Sequence, residues 1–311
     1  MITKHSTAGM TRDEWLQERR KSIGGSDAAG IVGLSKYSSP FSVWADKTGR
    51  GKPVEETEAI RLGNDLEDYV ARRWAEATGK KVKRHPYIIK NDKYPFAHAN
   101  IDRAVVGEKA GLECKTTSTL NLKQFHGVEF PEKYYAQCVH YLAVTGWDRW
   151  YLAVLVFGKG FYTYTLERDQ DEIDALMSAE GLFWGFVEND IPPMADGADA
   201  TTDAISTAWS DSNGESIDLV GRDAMLDEYT QLRGQKKAIE ERIAEIENSI
   251  KIDMEDAERA ECGRYTVSWK TQQRSTFQAK EFAKAHPEID LTPYYKTTAS
   301  RPFKITVKED K

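Results

Sequence analysis

Residues 96–117 read FAHANIDRAVVGEKAGLECKTT, and this stretch decides the fold. Residues 96–106 and 111–117 are short segments with the period-two character of β-strands. The turn-forming tripeptide Gly107-Glu108-Lys109 separates them. The stretch therefore predicts two neighbouring strands that pair as an antiparallel hairpin.

Two acids and a lysine stand out in this hairpin. Asp102 lies in the first predicted strand, Glu113 lies in the second, and Lys115 follows two residues later. Because successive side chains of a strand point to opposite faces, Glu113 and Lys115 share one face while Leu112 and Cys114 face the core. If the two strands pair, Asp102 can lie beside Glu113.

This placement of charged groups indicates metal chemistry. Two carboxylates so close together repel each other unless a cation compensates them. Carboxylate oxygens are hard ligands, which favour Mg²⁺ or Mn²⁺ over zinc. A bound metal lowers the pKa of a water molecule, and the ammonium of Lys115 can orient that water or neutralise a phosphate oxygen, which suits phosphodiester hydrolysis. By itself a Glu-x-Lys pattern is weak, because solvated strands often carry such pairs.

The rest of the first 190 residues alternates between helical and strand patterns. Helices are predicted at 11–21, from Ser26 or Asp27, after Ser39-Pro40, and at 58–78, 131–145 and 168–188. Further strands are predicted at 81–89, 150–157 and 161–166. This order predicts an α/β core in which helices flank a mixed sheet.

The composition and the predicted elements of the chain change after residue 190. We predict a nuclease-type domain over 1–190, an acidic linker or mobile loop over 191–220, and a C-terminal region over 221–311. A long charged helix is predicted at 222–260, with apolar spacing that suits a helical hairpin or a short coiled coil. A small basic α+β module should follow, with a strand at 265–269 and a helix at 279–285.

The composition limits the class of protein. The chain has 311 residues, of which 40% are hydrophobic and 30% charged, and it has three cysteines. An odd number of widely spaced cysteines argues against a disulfide framework and against a four-cysteine zinc or iron–sulfur site. We find neither an apolar run of membrane-spanning length nor a hydrophobic signal core. We therefore expect a cytoplasmic protein with no membrane partner.

The net charge of −7 does not exclude DNA as a partner, because phosphate contacts depend on local clusters of Lys and Arg. Residues 190–218 contain seven Asp or Glu and no Lys or Arg. Residues 264–308 contain nine Lys or Arg against three acids. The charge is therefore strongly polarised along the chain.

Five segments together resemble the YqaJ-type viral recombinase family, which is related to phage lambda exonuclease within the PD-(D/E)XK nucleases. In chain order they are RRKSIGGSDAAGIVGLSKYSSP from Arg19, GNDLEDYVARRW from Gly63, HANIDRAV from His98, LECKTT from Leu112 and YAQCVHYLAV from Tyr135. The resemblance implies an α/β fold with a restriction-endonuclease-like PD-(D/E)XK core, a mixed β-sheet flanked by helices.

The resemblance also assigns roles to residues at matching positions. It implies catalytic roles for five polar side chains, which are Glu67, Asp102, Glu113, Lys115 and Gln137. It implies Mg²⁺, for which Mn²⁺ can substitute, bound by Asp102, Glu113, the backbone carbonyl of Cys114 and, directly or through water, Glu67. Tyr141, one turn after Gln137, matches a supporting residue. One position departs from the family pattern, since Ile101 replaces the usual proline, a variation that the superfamily tolerates.

Arg19 and Ser26 match the residues that hold the terminal 5′-phosphate in lambda exonuclease. Two alternatives remain open for this pair: Ser26 caps the following helix, alone or in addition, and Arg20 takes the place of Arg19. His98 and His140 are expected to be structural residues rather than metal ligands.

For function, the resemblance implies a Mg²⁺-dependent 5′-to-3′ exonuclease that acts on double-stranded DNA ends, releases mononucleotides and leaves 3′ single-stranded tails. It further implies a ring-shaped homotrimer, a single-strand annealing protein as partner, and a phage or prophage origin in a bacterial host cell. Two other functions remain open: a structure-specific endonuclease on the same core, and a non-catalytic DNA-binding scaffold. Closed circular DNA separates the first from an exonuclease, because only an endonuclease cuts it.

Overall fold

The computed structural model of the protein describes residues 1–52, 56–118, 130–296 and 300–307. The chain divides into two units, Met1–Asp211 together with the stretch that begins at Phe303, and Ser212–Pro302. None of the helices in the described ranges has the length and apolar character that a bilayer span requires.

The first unit alternates helices and strands, as the sequence predicts. In chain order its elements are β1 (Ile2–Ser6), α1 (Arg12–Arg20), β2 (Ile23–Gly24), α2 (Gly25–Ile31), α3 (Pro40–Lys47), α4 (Glu58–Thr78), β3 (Val82–Arg84), β4 (Tyr87–Asn91), β5 (Ala97–Asn100), β6 (Arg103–Val105), β7 (Ala110–Thr117), α5 (Glu132–Thr145), β8 (Arg149–Val156), β9 (Gly160–Glu167), α6 (Gln170–Glu188) and α7 (Asp199–Ala208).

A mixed five-stranded sheet forms the centre of this unit, with the strand order β3-β6-β7-β8-β9. β6 and β7 form the predicted antiparallel hairpin, in which Arg103 pairs with Leu112. β7 and β8 run parallel, because α5 returns the chain between them. A second sheet has the order β1-β4-β5-β2.

Helices cover both faces of the five-stranded sheet. On one face, Val70 and Trp74 of α4 belong to the same buried cluster as Leu112 of β7. On the other face lies α5, in which 11 of 14 residues are buried. Such a helix is apolar nearly all round because other elements surround it. The predicted α/β fold class is confirmed, since a mixed sheet is flanked by helices on both faces. The PD-(D/E)XK core stays a prediction.

The segment predicted as one strand at 96–106 is divided in the structure. β5 belongs to the β1-β4-β5-β2 sheet, whereas β6 belongs to the five-stranded sheet. The chain bends between them, at Ile101 and Asp102, and leaves the first sheet for the second. Alternation continues across the bend, which is why the sequence pattern does not reveal it.

Residues 191–220, predicted as a linker or mobile loop, contain the ten-residue helix α7. The prediction was wrong for this part. Ile205 of α7 packs against the buried cluster that contains Phe41 of α3, and the Phe41 ring lies 5.5 Å from the ring of Trp209. Docking of this kind stabilises a helix whose Asp, Ala and Thr composition resembles that of a linker.

The second unit begins inside the predicted linker, at Ser212. Its elements are α8 (Asp223–Met254), β10 (Arg259–Cys262), β11 (Tyr265–Ser268), α9 (Ala279–Ala285) and a 3₁₀ turn at Thr292–Tyr294. The strand predicted at 265–269 and the helix predicted at 279–285 are confirmed as β11 and α9, and β11 pairs with β10 where the predicted long helix was expected to continue to residue 260. A coiled coil of α8 with another chain stays a prediction. Positions 297–299 and 308–311 of the predicted C-terminal module lie outside the described residues.

Candidate active site

Asp102 and Glu113 lie next to each other on neighbouring chain segments. Asp102 directly precedes β6, and the pairing of Arg103 with Leu112 places Asp102 opposite Glu113. Oδ2 of Asp102 accepts a hydrogen bond of 2.8 Å from the backbone N–H of Cys114. This bond fixes the Asp102 carboxylate against β7.

Glu113 is 2% exposed, and its two carboxylate oxygens have different surroundings. Oε1 accepts a hydrogen bond of 2.7 Å from Nε2 of Gln137 and lies 2.5 Å from Nζ of Lys115. Oε2 is buried and has no hydrogen-bond partner among the described residues. Nε2 of Gln137 also donates to the hydroxyl of Tyr141, at 2.8 Å. Because a buried polar oxygen without a partner is costly, this one points to a ligand from outside the chain.

The buried charges shift one another's pKa values. Burial, followed by the charge of Glu113, raises the pKa of Asp102 well above its usual value. Burial alone would lower the pKa of Lys115, but the carboxylates of Glu113 and Asp102 outweigh this effect and raise it. Lys115 is therefore protonated at neutral pH. With one ammonium beside two carboxylates, the cluster has a net negative charge, which favours the binding of a cation.

The residues present fit a hard divalent cation. Asp102 and the unpartnered Oε2 of Glu113 supply the carboxylate oxygens that Mg²⁺ prefers. Burial and the nearby carboxylates raise the pKa of the Cys114 thiol, so its sulfur is not a thiolate and only its backbone carbonyl suits Mg²⁺. Within the described ranges no three His, Cys, Asp or Glu side chains converge as a metal cluster. The remaining ligands would therefore be water, several molecules of which Mg²⁺ usually keeps.

Glu67 lies on α4, and its carboxylate is bound by an arginine. Oε1 of Glu67 is 2.5 Å from Nη1 of Arg103, and Nη2 of the same guanidinium donates to Asp68. After burial and Glu113, the charge of Glu67 adds to the raised pKa of Asp102, so Glu67 lies near the acidic pair. Its role as a metal ligand stays a prediction.

Arg103 is the residue of this site that the sequence did not reveal. Its side chain is only 5% exposed, and Nη1 also donates to the carbonyl oxygen of Asp102 at 2.6 Å. It therefore connects the helical acid to the strand acid. Its partners Glu67 and Asp68 lie 36 and 35 positions earlier in the chain. A charged side chain inside an apolar strand was the one signal that could have found it.

The predicted phosphate-binding residues Arg19 and Ser26 are in direct contact. Nη2 of Arg19 donates a hydrogen bond of 2.7 Å to Oγ of Ser26. The guanidinium also lies 4.6 Å from the ring centroid of Trp15. Arg20 points elsewhere and pairs with Asp46 at 3.3 Å. The geometry therefore favours Arg19 over Arg20 as the partner of Ser26.

Ser26 does not cap α2, because the N-cap is Gly24 and the helix begins at Gly25. Asp27 supplies the capping contact, since its carboxylate accepts from the Gly24 N–H at 2.9 Å. A Cβ atom at Gly25 would lie 2.6 Å from the ring of Tyr141. This close approach brings the start of α2 against α5, next to the side chains that hold Glu113.

The two histidines expected to be structural are buried and make hydrogen bonds within the protein. Nε2 of His140 is 2.9 Å from the carbonyl oxygen of His98, and Nδ1 is 2.9 Å from both carboxylate oxygens of Glu180. Nδ1 of His98 is 2.8 Å from Oγ of Ser22. The contacts of His140 tie α5 to α6 and to β5.

Residues 14–148 match the model of the YqaJ-like viral recombinase domain. The chain is 40% identical over 287 residues to the uncharacterized protein YqaJ of Bacillus subtilis, and the match covers 90% of both chains. Among solved structures, an alkaline exonuclease from Laribacter hongkongensis has 16% identity, a TM-score of 0.47, and coverage of 57% of this chain and 93% of its own. A phage-related exonuclease from Haemophilus somnus has 14% identity, a TM-score of 0.43, and coverage of 54% and 96%. The identity and coverage of the Bacillus relative show that the chain belongs to the YqaJ-like viral recombinase family, among proteins of phage-type recombination.

Proposed function

We propose that this protein is a Mg²⁺-dependent 5′-to-3′ exonuclease on double-stranded DNA. It would release mononucleotides and leave 3′ single-stranded tails for recombination by single-strand annealing. The observation that carries the proposal is the position of Lys115, whose ammonium is bound to the buried carboxylate of Glu113, next to the half-buried Asp102. Acids and a lysine in this arrangement suit hydrolysis of a phosphodiester.

Each side chain of the cluster has a separate task in this reaction. A divalent cation bound by Asp102 and Glu113 would lower the pKa of a bound water and stabilise the negative charge of the transition state. Lys115 is held by Oε1 of Glu113, and its remaining N–H groups can donate to the attacked phosphate or orient the water. Gln137 fixes Glu113 so that Oε2 stays available as a ligand.

The proposed polarity rests on Arg19 and Ser26. Together they offer a guanidinium and a hydroxyl, which suit a terminal phosphate. Ser26 lies in the first turn of α2, where backbone N–H groups also favour an anion. The pair lies near Glu113, because Gly25 approaches Tyr141, and Gln137 is hydrogen-bonded to both Tyr141 and Glu113.

The assembly and the partners belong to the same proposal. A homotrimeric ring would enclose the duplex and explain processive digestion without high affinity for DNA. A single-strand annealing protein would bind the exposed 3′ tail. Both follow from the family resemblance, and the site of action would be the cytoplasm of the bacterial host.

The proposal is tested by digestion of a linear duplex labelled at its 5′ or its 3′ end. Substrates with 5′-phosphate and 5′-hydroxyl ends are compared in Mg²⁺, beside a covalently closed circle. Lys115→Ala is the test variant, and Lys93→Ala, at a surface lysine with 62% side-chain exposure, is the matched control.

We expect early release of 5′-labelled mononucleotides, faster from phosphorylated ends, abolished by Lys115→Ala and kept by Lys93→Ala. Release from the 3′ end first would contradict the polarity. Cutting of the closed circle would favour an endonuclease. Loss of activity in every divalent metal for the wild-type protein would favour a non-catalytic scaffold.

A further inference from the structure

A groove of about 830 Å³ lies between the β1–β4 edge of one sheet and the β3–β6 end of the other. Three lysines line it, Lys4 on β1, Lys83 on β3, and Lys109 in the turn before β7. Three aromatic rings line it as well, those of His85, Tyr87 and Trp147. No part of the catalytic proposal uses these residues.

The groove has an excess of positive charge. Lys4, Lys83 and Lys109 are exposed, and none forms an ion pair with a described residue. Glu108, the acid that lines the groove, forms an ion pair with Lys80 and accepts a hydrogen bond of 3.0 Å from the Tyr151 hydroxyl. Uncompensated cations around one groove, in a chain of net charge −7, indicate an anionic ligand.

The aromatic rings form a connected surface inside this ring of lysines. His85 contacts Tyr87 at a centroid distance of 5.0 Å and Trp147 at 6.1 Å. Trp147 in turn stacks on the buried ring of Trp150 at 5.7 Å, which holds it in place. Tyr87 is 37% exposed. Tyr87 is therefore the exposed ring of the set, with Trp147 half-buried beside it, and aromatic rings next to lysines are typical of sites for unpaired bases.

His85 also carries an unused polar atom. The residue is 9% exposed, and its Nδ1 atom is buried without a hydrogen-bond partner among the described residues. Since buried polar atoms are nearly always paired, this atom indicates a partner from outside the chain. Bases and phosphates both offer hydrogen-bonding groups.

The groove is close to the proposed catalytic centre. Ala104, which lines it, follows Asp102 by two residues. β6 therefore joins the groove to the chain segment that carries Asp102.

We propose that this groove binds single-stranded DNA, namely the strand that remains after its complement is removed. The inference rests on the proposed exonuclease function. Lys4, Lys83 and Lys109 contact phosphates, and a base packs on Tyr87 and Trp147. Double-stranded DNA fits less well, because its bases are stacked and cannot reach the ring faces. An acidic protein segment would satisfy the lysines but leave the rings unused.

The test is fluorescence anisotropy with a labelled oligothymidylate in EDTA, so that cleavage does not contribute. The groove variant is Lys4→Ala/Lys83→Ala/Lys109→Ala. The control removes the same charge from α8, as Lys236→Ala/Lys237→Ala/Lys251→Ala. A second pair compares Tyr87→Ala with Tyr87→Phe, which keeps the ring face. Circular dichroism establishes that each variant is folded.

We expect the triple groove variant to weaken binding at least tenfold and to reduce the salt dependence of log K by about 2, since each phosphate contact contributes about 0.7 for single strands. The α8 control should bind as the wild type does. Tyr87→Ala should weaken binding roughly 5- to 100-fold, as expected for one lost stacking contact, and Tyr87→Phe should not.

Unchanged oligothymidylate affinity in the folded groove variant would overturn the proposal, whatever the nuclease assay gives. If light scattering showed a changed oligomeric mass for that variant instead, the groove would be a contact between copies of the chain. Wild-type protein that binds through the groove but never digests a duplex would contradict the exonuclease proposal and leave the groove assignment standing.

Discussion

Replacement of Asp102 by asparagine should make the metal-free protein more stable while it removes activity. Asp102, which is half-buried, and Glu113, which is buried, are neighbouring carboxylates. Burial together with the charge of Glu113 raises the pKa of Asp102. Asparagine keeps the size of the side chain and an oxygen that can accept from the Cys114 N–H, as Asp102 does at 2.8 Å. The substitution therefore removes a charge and keeps the hydrogen bond.

The size of the effect follows from the sheet geometry. Directly opposed residues on paired strands are about 5 Å apart. At an effective dielectric constant of about 20, two like charges at that separation repel by roughly 3 kcal/mol. Lys115 offsets part of this repulsion, which leaves a net stabilisation on the order of 1–2 kcal/mol. For a chain of this size, that corresponds to a rise in Tm of roughly 2–8 °C.

Thermal unfolding followed by circular dichroism in EDTA measures this difference. Asp65→Asn, at an exposed position of α4, is the control and should leave Tm unchanged. Saturating Mg²⁺ should raise the Tm of the wild type and have little effect on Asp102→Asn. The pKa of Asp102 is raised in the folded protein. The repulsion between Asp102 and Glu113 therefore lowers the stability of the wild type as the pH rises through that pKa, and it is absent below the usual value of 3.8. A metal-free Asp102→Asn protein less stable than wild type at pH 7 would refute the reasoning.

Three further predictions concern residues around the acidic pair. Arg103→Met should release Glu67 and weaken Mn²⁺ binding measured by calorimetry. It should cost about 1–2 kcal/mol of stability in urea unfolding, because the acids left without a counter-charge are partly exposed and solvent screens them. Gly25→Ala should displace Tyr141, whose ring would be 2.6 Å from the new Cβ, and lower the rate of duplex digestion with little change in circular dichroism. The pKa of His98 is lowered to about 3, chiefly by burial, so its contribution to stability is full above the ordinary value of 6.5 and is lost as the pH falls towards 3. Between pH 6.5 and pH 5, this loss amounts to about 2 kcal/mol of unfolding free energy. His98→Gln should therefore lose about 2 kcal/mol less than the wild type over this range in urea titrations. Equal losses in the two proteins would contradict the conclusion that His98 is buried in its neutral form.

The hairpin and its charged side chains could be predicted because the information is local. Strand alternation and the Gly107-Glu108-Lys109 turn fix which residues of β7 share a face, and the register then brings Asp102 opposite Glu113. The end of α4 was equally predictable, since Gly79 adopts the left-handed conformation that a helix C-terminus favours. The resemblance singled out Arg19 and Ser26, and the structure shows that the two side chains are in contact, whereas their role in phosphate binding stays a prediction.

The features that the sequence did not reveal depend on contacts between distant segments. Arg103 belongs to the site because it binds Glu67, which lies 36 positions away, and no local pattern in the sequence indicates that pairing. α7 exists because it docks on α3, and its own composition resembles a linker. The division of residues 96–106 between two sheets depends on which strands pair with β5 and which pair with β6. The alternation of apolar and polar residues does not indicate these partners.

The dependence of duplex digestion on Mg²⁺, compared between wild type and Glu113→Gln, tests the proposed metal site most directly. Glutamine keeps the shape of the side chain but removes the negative charge that binds Lys115. It also removes one carboxylate oxygen, and the buried Oε2 is the oxygen that would bind the metal. We expect no digestion in EDTA, activity that rises and saturates with Mg²⁺ for the wild type, and a rate at least about a hundredfold lower for Glu113→Gln at every concentration. Digestion by the wild type in EDTA, or a folded Glu113→Gln protein within a few fold of the wild-type rate, would contradict the assignment of Asp102, Glu113 and Lys115 as a metal-dependent nuclease site.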